Sequence, residues 1–240
     1  MSVVYQVRDK VATITLNRPE ARNALDLAMC GALVTVANSA ASDPQQIRLV
    51  IVRANGPAFC AGADLKERQG MSEAQVRERR MAGFAAYAAL EALPMPAIAV
   101  VEGPAVGSGC EIACACDFIV ATPAASFRTP EALRGTVGAT QRLPRVLGKR
   151  LAKDLMFTGR TLSAEEARDA GLVSRLVLPS DLELLLQEIK KTVADAPQDS
   201  LRLAKRCIDR AEQAARAAAL QTEIEAIEEQ LAQGRGLDQR

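Results

Sequence analysis

The sequence predicts an α/β protein whose layered core is followed by a helical C-terminal region. Three observations carry this. Apolar, β-branched runs alternate with helical stretches through the first two thirds of the chain, as strands joined by helical crossovers do. Two of these runs, Leu49–Ala54 and Ala97–Val101, are almost continuously apolar, the pattern of strands buried on both faces. Beyond Pro144 the strand signals nearly vanish. A chain of 240 residues suits one domain with a small appendage, divided as a core over 1–180 and a helical region over 181–240.

The elements follow in order. Val3–Val7 and Val11–Leu16 flank Arg8-Asp9-Lys10 and read as a hairpin. Asn17-Arg18-Pro19 breaks the second strand. Ala24–Ala41 reads as a helix that Ser42-Asp43-Pro44 stops. Leu49–Ala54 leads through the loop Asn55-Gly56-Pro57 to Phe59-Cys60-Ala61-Gly62-Ala63-Asp64. Met71–Leu93 is helical, and Pro94 and Pro96 end it. Ala97–Val101 is a strand, Gly103–Gly109 a flexible turn and Cys110–Cys116 an apolar helix. Asp117–Ala121 and Ser126–Phe127 are strands. Gly148–Phe157, Ser163–Ala170, Asp181–Ala194 and Ser200–Gln233 read as helices, with Leu172–Val177 a late strand. Ser163 with Glu166 forms a capping-box pair, and Gly171 suits a helix C-terminus. The tail is too polar to form a core of its own, so it is expected to pack on the α/β part or on another subunit.

Composition removes whole classes of function. With 30 basic and 29 acidic residues the net charge is +1, which argues against a nucleic-acid binder. Histidine is absent, so there is no Ser-His-Asp triad, no Cys-His dyad and no His metal ligand. Proton transfer falls to Glu, Asp, Lys, Tyr or Cys. The six cysteines, Cys30, Cys60, Cys110, Cys114, Cys116 and Cys207, lack paired zinc spacing. Cys110 and Cys114 share a helix face, as a soft-metal pair or, on the expected reading, as reduced small hydrophobes in a cytosolic protein. No metal is expected. Met1–Lys10 has no apolar stretch of the signal-peptide kind, and no apolar run reaches the roughly 18 residues of a membrane span. A cytoplasmic protein with no membrane partner is expected.

Two glycine-rich turns each follow a buried strand: Ala61–Lys66 and Gly107–Glu111. In a parallel sheet both fall at the edge where ligands bind. Peptide N–H groups converging there make an oxyanion hole; ordinary strand-to-helix turns are the plain alternative. The second is not a dinucleotide fingerprint, because G-x-G-x-x-G fails at Ala113. Glu111 lies in the otherwise apolar helix CEIACAC, where a charge is costly unless paired or functional. An ion pair with an arginine is the alternative there. Glu131 follows Pro130, where it either complements a helix dipole or takes part in chemistry. Two carboxylates beside an oxyanion hole suggest a general acid and base around a water.

These segments resemble a known family. Phe59–Arg68 (FCAGADLKER) is similar to the first signature of the enoyl-CoA hydratase/isomerase, or crotonase, superfamily. Gly103–Asp117 (GPAVGSGCEIACACD) resembles the second, and Phe127–Glu131 with Gly135–Leu143 the third. Arg18-Pro19 with Asn23-Ala24-Leu25 resembles the early motif, and Ser163-Ala164 with Gly171-Leu172-Val173 the late one. The resemblance runs from about residue 3 to about residue 210.

What the resemblance implies is specific. The fold would be a crotonase-like ββα spiral core with a C-terminal helical trimerisation region, giving a homotrimer or a dimer of trimers. The substrate would be an acyl thioester of coenzyme A, with no cofactor beyond the coenzyme A that is part of it. Ala63 and Ser108 would supply the two oxyanion-hole N–H groups. Glu111 would take a proton from the water that adds to the β-carbon, and Glu131 would protonate the α-carbon. Keeping both glutamates favours hydration over family members that lack one. Arg22, Ala24, Ala61, Ala63, Asp64, Leu65 and Lys66 would contact the substrate and its coenzyme. Arg22, Lys66 and Arg68 would meet the phosphates or, equally, solvent.

FCAGADLKER most resembles the 3-methylglutaconyl-CoA hydratases, whose substrate would want a cation near the acyl end, Arg80 or Arg128. Some of that subgroup bind RNA through a lysine-rich early helix. Asp26–Ala41 has no Lys or Arg, so that role is not carried over. Three departures stand out: Ser at 108 where Gly is usual, a 135–141 loop about two residues shorter, and no closing segment with an aromatic, Glu-Lys-Arg and Pro. The alternatives are a repurposed crotonase (an isomerase, a decarboxylase or a carrier-protein dehydratase) and an inactive thioester-binding oligomer subunit.

Overall fold

The computed structural model describes residues 1–197, 199–209, 221, 224, 225 and 228. The opening hairpin is β1 (Val3–Arg8) against β2 (Val11–Leu16), antiparallel with Val3 opposite Leu16. Helix α1 (Leu27–Ser42) crosses to β3 (Leu49–Ala54), and α2 (Glu73–Glu91) crosses to β4 (Ala97–Val101). Then come β5 (Pro104–Val106), α3 (Ser108–Cys114), β6 (Phe118–Ala121), β7 (Ser126–Arg128), α4 (Arg142–Thr158), β8 (Leu162–Ser163), α5 (Ala164–Asp169), β9 (Arg175–Leu176) and α6 (Pro179–Asp195). Residues 199–209 are helical.

The main sheet has the order β1-β2-β3-β4-β6-β9, and every pairing after the hairpin is parallel. Its two faces divide by strand alternation. Val50, Val52, Ala97, Ala99, Val101 and Ala121 join the larger core, beside Leu33 of α1 and Ile112 of α3. Leu49, Ile51, Ile98, Val100 and Val120 form a second cluster, closed by Leu182, Leu186 and Ile189 of α6. Those three recur at helical spacing, and burying each contributes roughly 1.5–3 kcal/mol. The apolar run LVIVRA is therefore buried on both sides, as its composition predicts.

Four sequence expectations shift. The first helix begins at Leu27 because Asp26 caps it, accepting from the Met29 N–H at 2.7 Å. The Gly103–Gly109 turn contains a strand, β5, which pairs with β7; β7 in turn pairs with β8 in a second, three-stranded sheet. The helix read from Gly148 starts at Arg142, and Gly148 is a kink within it, with φ +73° and ψ 159°. The late strand shrinks to Arg175–Leu176. The helix expected over Ser200–Gln233 is described only in part, and its residues 210–220 lie outside the described residues. Among the described residues no helix is long and apolar enough to cross a membrane.

Candidate active site

The chain leaving β3 and the chain leaving β4 are sewn together. The Cys60 N–H donates to Pro104 O at 3.2 Å, and the Val106 N–H donates to Cys60 O at 2.9 Å. Helix α3 starts directly on this seam. A Cβ on Gly109 would lie 2.4 Å from Cys60 O, so only glycine allows the approach. On its other side the first turn is pinned to the segment before α1: Leu25 N–H donates to Gly62 O at 2.8 Å, and Asp64 N–H to Leu25 O at 2.9 Å. Among the described residues, the N–H groups of Ala63 and Ser108 have no acceptor within the protein.

Both residues line one cavity of about 550 Å³. Ala61, Gly62, Ala63 and Leu65 form one wall, and Val106, Gly107, Ser108 and Glu111 another. Helix α2 adds Val76, Arg79, Arg80, Gly83, Phe84 and Tyr87, which recur at helical spacing and so share a face. The segment after β7 closes the cavity with Pro130, Glu131 and 134–139.

The structure thus brings Glu111 and Glu131 to the same cavity. Glu111 is 6% exposed. Its Oε2 accepts from Arg142 Nη1 at 2.7 Å, while Arg142 Nη2 donates to Glu91 at 2.8 Å. Burial pulls the Arg142 pKa down, but Glu111 and Glu91 outweigh it and hold the guanidinium above its usual range. Glu131 is held by close packing: a Cβ on Gly107 would lie 2.4 Å from its Oε1, and a Cβ on Gly138 would lie 3.1 Å from its Cγ. Gly107 itself has φ +52° and ψ −109°.

Of the other sequence-derived residues, Ala61 and Leu65 line the cavity and Arg22, Ala24, Asp64 and Lys66 do not. Arg22 and Lys66 are exposed. The Arg22 carbonyl accepts from Ala61 N–H at 3.0 Å, and the Ala24 carbonyl accepts from the Arg18 guanidinium. Asp64 organises the turn: it accepts from Lys66 N–H at 3.0 Å and pairs with Arg18 at 3.0 Å. Burial acts to raise the Asp64 pKa, but Arg18 and the Glu67 and Lys66 N–H groups hold it below its usual value. Arg68 lines the cavity. Arg80 does too, and donates to Val137 O at 3.2 Å and to Thr136 Oγ1. Arg128 instead donates to Gly159 O at 2.6 Å, away from the cavity.

Arg142, Tyr87 and Arg79 escaped the sequence reading. Arg79 is buried, pairs with Glu67 at 2.8 Å and donates to Leu25 O. The lone Glu111 in an apolar helix does call for a cation, but nothing local selects Arg142, which lies 31 residues away.

The enoyl-CoA hydratase/isomerase family model matches residues 6–237. The chain belongs to this family. An enoyl-CoA isomerase/hydratase of Mycosarcoma maydis is 41% identical over 206 residues, 81% of this chain and 75% of that protein. A short-chain-enoyl-CoA hydratase of Clostridium acetobutylicum is 37% identical, covering 95% and 88% of the two chains. The crystal structure of an enoyl-CoA hydratase from Bacillus anthracis superposes with a TM-score of 0.85 at 37% identity, covering 95% of this chain and 90% of that one. The crotonase α/β fold and an enzyme of the hydratase/isomerase kind, with an acyl-CoA thioester substrate consistent with the family, follow.

Proposed function

We propose that this member of the family is a hydratase adding water across the 2,3 double bond of a 2-enoyl-CoA thioester. The observation that carries the reading is the convergence of two carboxylates, Glu111 and Glu131, on a cavity also lined by Ala63 and Ser108, whose N–H groups have no acceptor among the described residues. The thioester oxygen accepts from those two N–H groups. As water adds to the β-carbon, Glu111 takes its proton and the double-bond electrons shift onto that oxygen. They return to the α-carbon, which takes a proton from Glu131. Removing one such N–H donor costs about 3 kcal/mol in comparable holes. The ion pair with Arg142 at 2.7 Å holds the Glu111 carboxylate in place at the cavity. Coenzyme A enters only as part of the substrate.

A relative named short-chain-enoyl-CoA hydratase supports a short acyl group. Large apolar side chains left exposed, Phe157 on α4, Leu184 on α6 and Ile208 in the helical residues 199–209, support assembly into a homotrimer or a dimer of trimers. The deciding measurement is loss of the conjugated enoyl-thioester absorbance with crotonyl-CoA and 3-methylglutaconyl-CoA. Wild type is expected to turn over, and Glu111→Gln and Glu131→Gln each to fall by about 10²–10⁴ in kcat. Unchanged hydration in both variants sinks the mechanism.

A further inference from the structure

We propose that Asn23 is a positioning residue that aims the Ala63 N–H, one of the two oxyanion-hole donors in the hydratase reading above, on which this rests. Asn23 is fully buried and lines no part of the cavity, so it acts through the chain around it. The link between them is Leu25. Its N–H donates to Gly62 O at 2.8 Å, and its carbonyl accepts from Asp64 N–H at 2.9 Å. One residue, bridged in parallel to Ala63, thereby holds the peptides on both sides of it. In a trans peptide the C=O and N–H point in opposite directions, and among the described residues no peptide is cis. Fixing Gly62 O on Leu25 therefore turns the Ala63 N–H away from Leu25. Ala63 lines the cavity and Leu25 does not, so the donor is left on the cavity side.

Leu25 needs a fixed footing for this, because Gly62 supplies none: its φ of +98° lies in the region where glycine moves most freely. The footing is the Asn23 side chain. Its Nδ2 donates both hydrogens to backbone carbonyls, Asn55 O and Ala58 O, each at 2.8 Å. Its Oδ1 accepts from the Arg18 N–H at 2.7 Å. A second tie lies beside it, where the Ala61 N–H donates to Arg22 O at 3.0 Å. Residues 55–58 belong to the same length of chain that goes on to Ala63. The bonds thus close a ring, from 55–58 through Asn23 to Leu25 and back to Gly62. Asparagine suits the place twice over. Asn23 has φ +54°, a left-handed conformation that Asn adopts more readily than most residues. Its amide also offers two donors and an acceptor, and the two carbonyls facing it call for both donors.

The test uses the full-length enzyme and the variants Asn23→Gly and Asn23→Ser. Glycine keeps the left-handed backbone and removes all three side-chain bonds; serine keeps one hydroxyl donor. With crotonyl-CoA, Asn23→Gly is expected to lower kcat about ten- to hundredfold, short of the roughly 10²–10³ that outright loss of a donor costs, with KM within about threefold of wild type. Asn23→Ser is expected to fall between the two. The second readout is the infrared carbonyl stretch of bound butyryl-CoA carrying carbon-13 at its carbonyl, which needs no hydration. Wild type is expected to lower the stretch, because two N–H groups polarise the carbonyl, and Asn23→Gly to lower it by at most about half as much. A loss of stability alone does not move the stretch in folded, loaded protein. Wild-type kcat, a wild-type carbonyl shift in the folded variant, or a change confined to KM overturns the proposal. Where Asn23→Gly does not fold, Asn23→Ser decides it on the same two readouts. A wild type that shifts the carbonyl yet hydrates no enoyl-CoA removes the hydratase reading, and the spectrum then decides the Asn23 proposal by itself. A wild type that shifts no carbonyl removes the hole, and the Asn23 proposal with it.

Discussion

Glu111 and Glu131 reach one cavity from two unlike supports. Glu111 rises from α3 and is held by charge: Arg142 grips it at 2.7 Å, and Glu91 holds Arg142 from behind at 2.8 Å. Glu131 stands at the start of a short 3₁₀ turn and is held by shape, packed against Gly107 and Gly138. The first arrangement fixes a position through two linked ion pairs. The second fixes a position by close contact with two glycines. Two carboxylates of the same chemistry thus reach one cavity by different means.

The sharpest way to break this contrast is Arg142→Leu. It strips the cation from two acidic partners of low exposure and is expected to cost about 3–5 kcal/mol in urea unfolding. Next is Gly107→Ala, which places a Cβ 2.4 Å from Glu131 Oε1 and forces a non-glycine residue to φ +52°. Backbone strain of this kind costs about 1–3 kcal/mol, and kcat is expected to fall at least about tenfold by displacing Glu131. Added to Glu131→Gln, the same change should lower kcat little further. Were it to lower kcat as much in that background, Gly107 would be acting elsewhere.

A subtler split is expected between the two Gln variants in thermal melts. Glu111→Gln keeps a hydrogen bond to Arg142 but loses its charge, at a cost of about 1 kcal/mol; Glu131→Gln should melt near wild type. Equal melting temperatures would contradict the charge-held, shape-held distinction. The smallest effect belongs to Asp64, outside both arms. Its carboxyl is held below its usual value when folded and titrates near about 3.9 when unfolded. Its contribution is therefore present above about pH 4 and is lost as pH falls through the lower folded value. Asp64→Asn should flatten the acid limb of a stability–pH curve and leave the neutral region parallel to wild type.

The sequence was most informative where physics is local. Alternation and burial marked β3 and β4, and the capping box at Ser163 is present as read, with Glu166 N–H donating to Ser163 Oγ at 3.2 Å and Ser163 N–H to Glu166 Oε2 at 3.0 Å. The two glycine-rich turns were legible as a pair because each follows a buried strand. Of the second sheet only β7 was legible, read as Ser126–Phe127; β5 and β8 are three and two residues long, too short for a periodicity to show. The helix was read only from Gly148 because Pro144 and Gly148 interrupt its pattern, yet the chain is helical on both sides of the Gly148 kink. Arg142 and Tyr87 were invisible because their meaning lies in contacts between distant helices, Arg142 with Glu111 of α3 and Tyr87 with Arg142. A lone buried acid announces that a partner exists and leaves open which of the many arginines it is.

The seam between Cys60 and the β5–α3 segment has a consequence for how such an enzyme can be altered. Each turn is bonded to the other through backbone atoms, so apart from Gly109, whose Cβ would meet Cys60 O at 2.4 Å, the seam does not depend on which side chains the turns carry. Among the described residues, the α2 wall is joined to that seam by no backbone hydrogen bond, and Val76 and Phe84 meet the cavity through side chains. The seam behaves as a fixed socket, and Val76 and Phe84 of α2 as an exchangeable liner. Redesign of the acyl preference belongs on the liner, where volume can be added or removed one side chain at a time while the socket keeps its geometry.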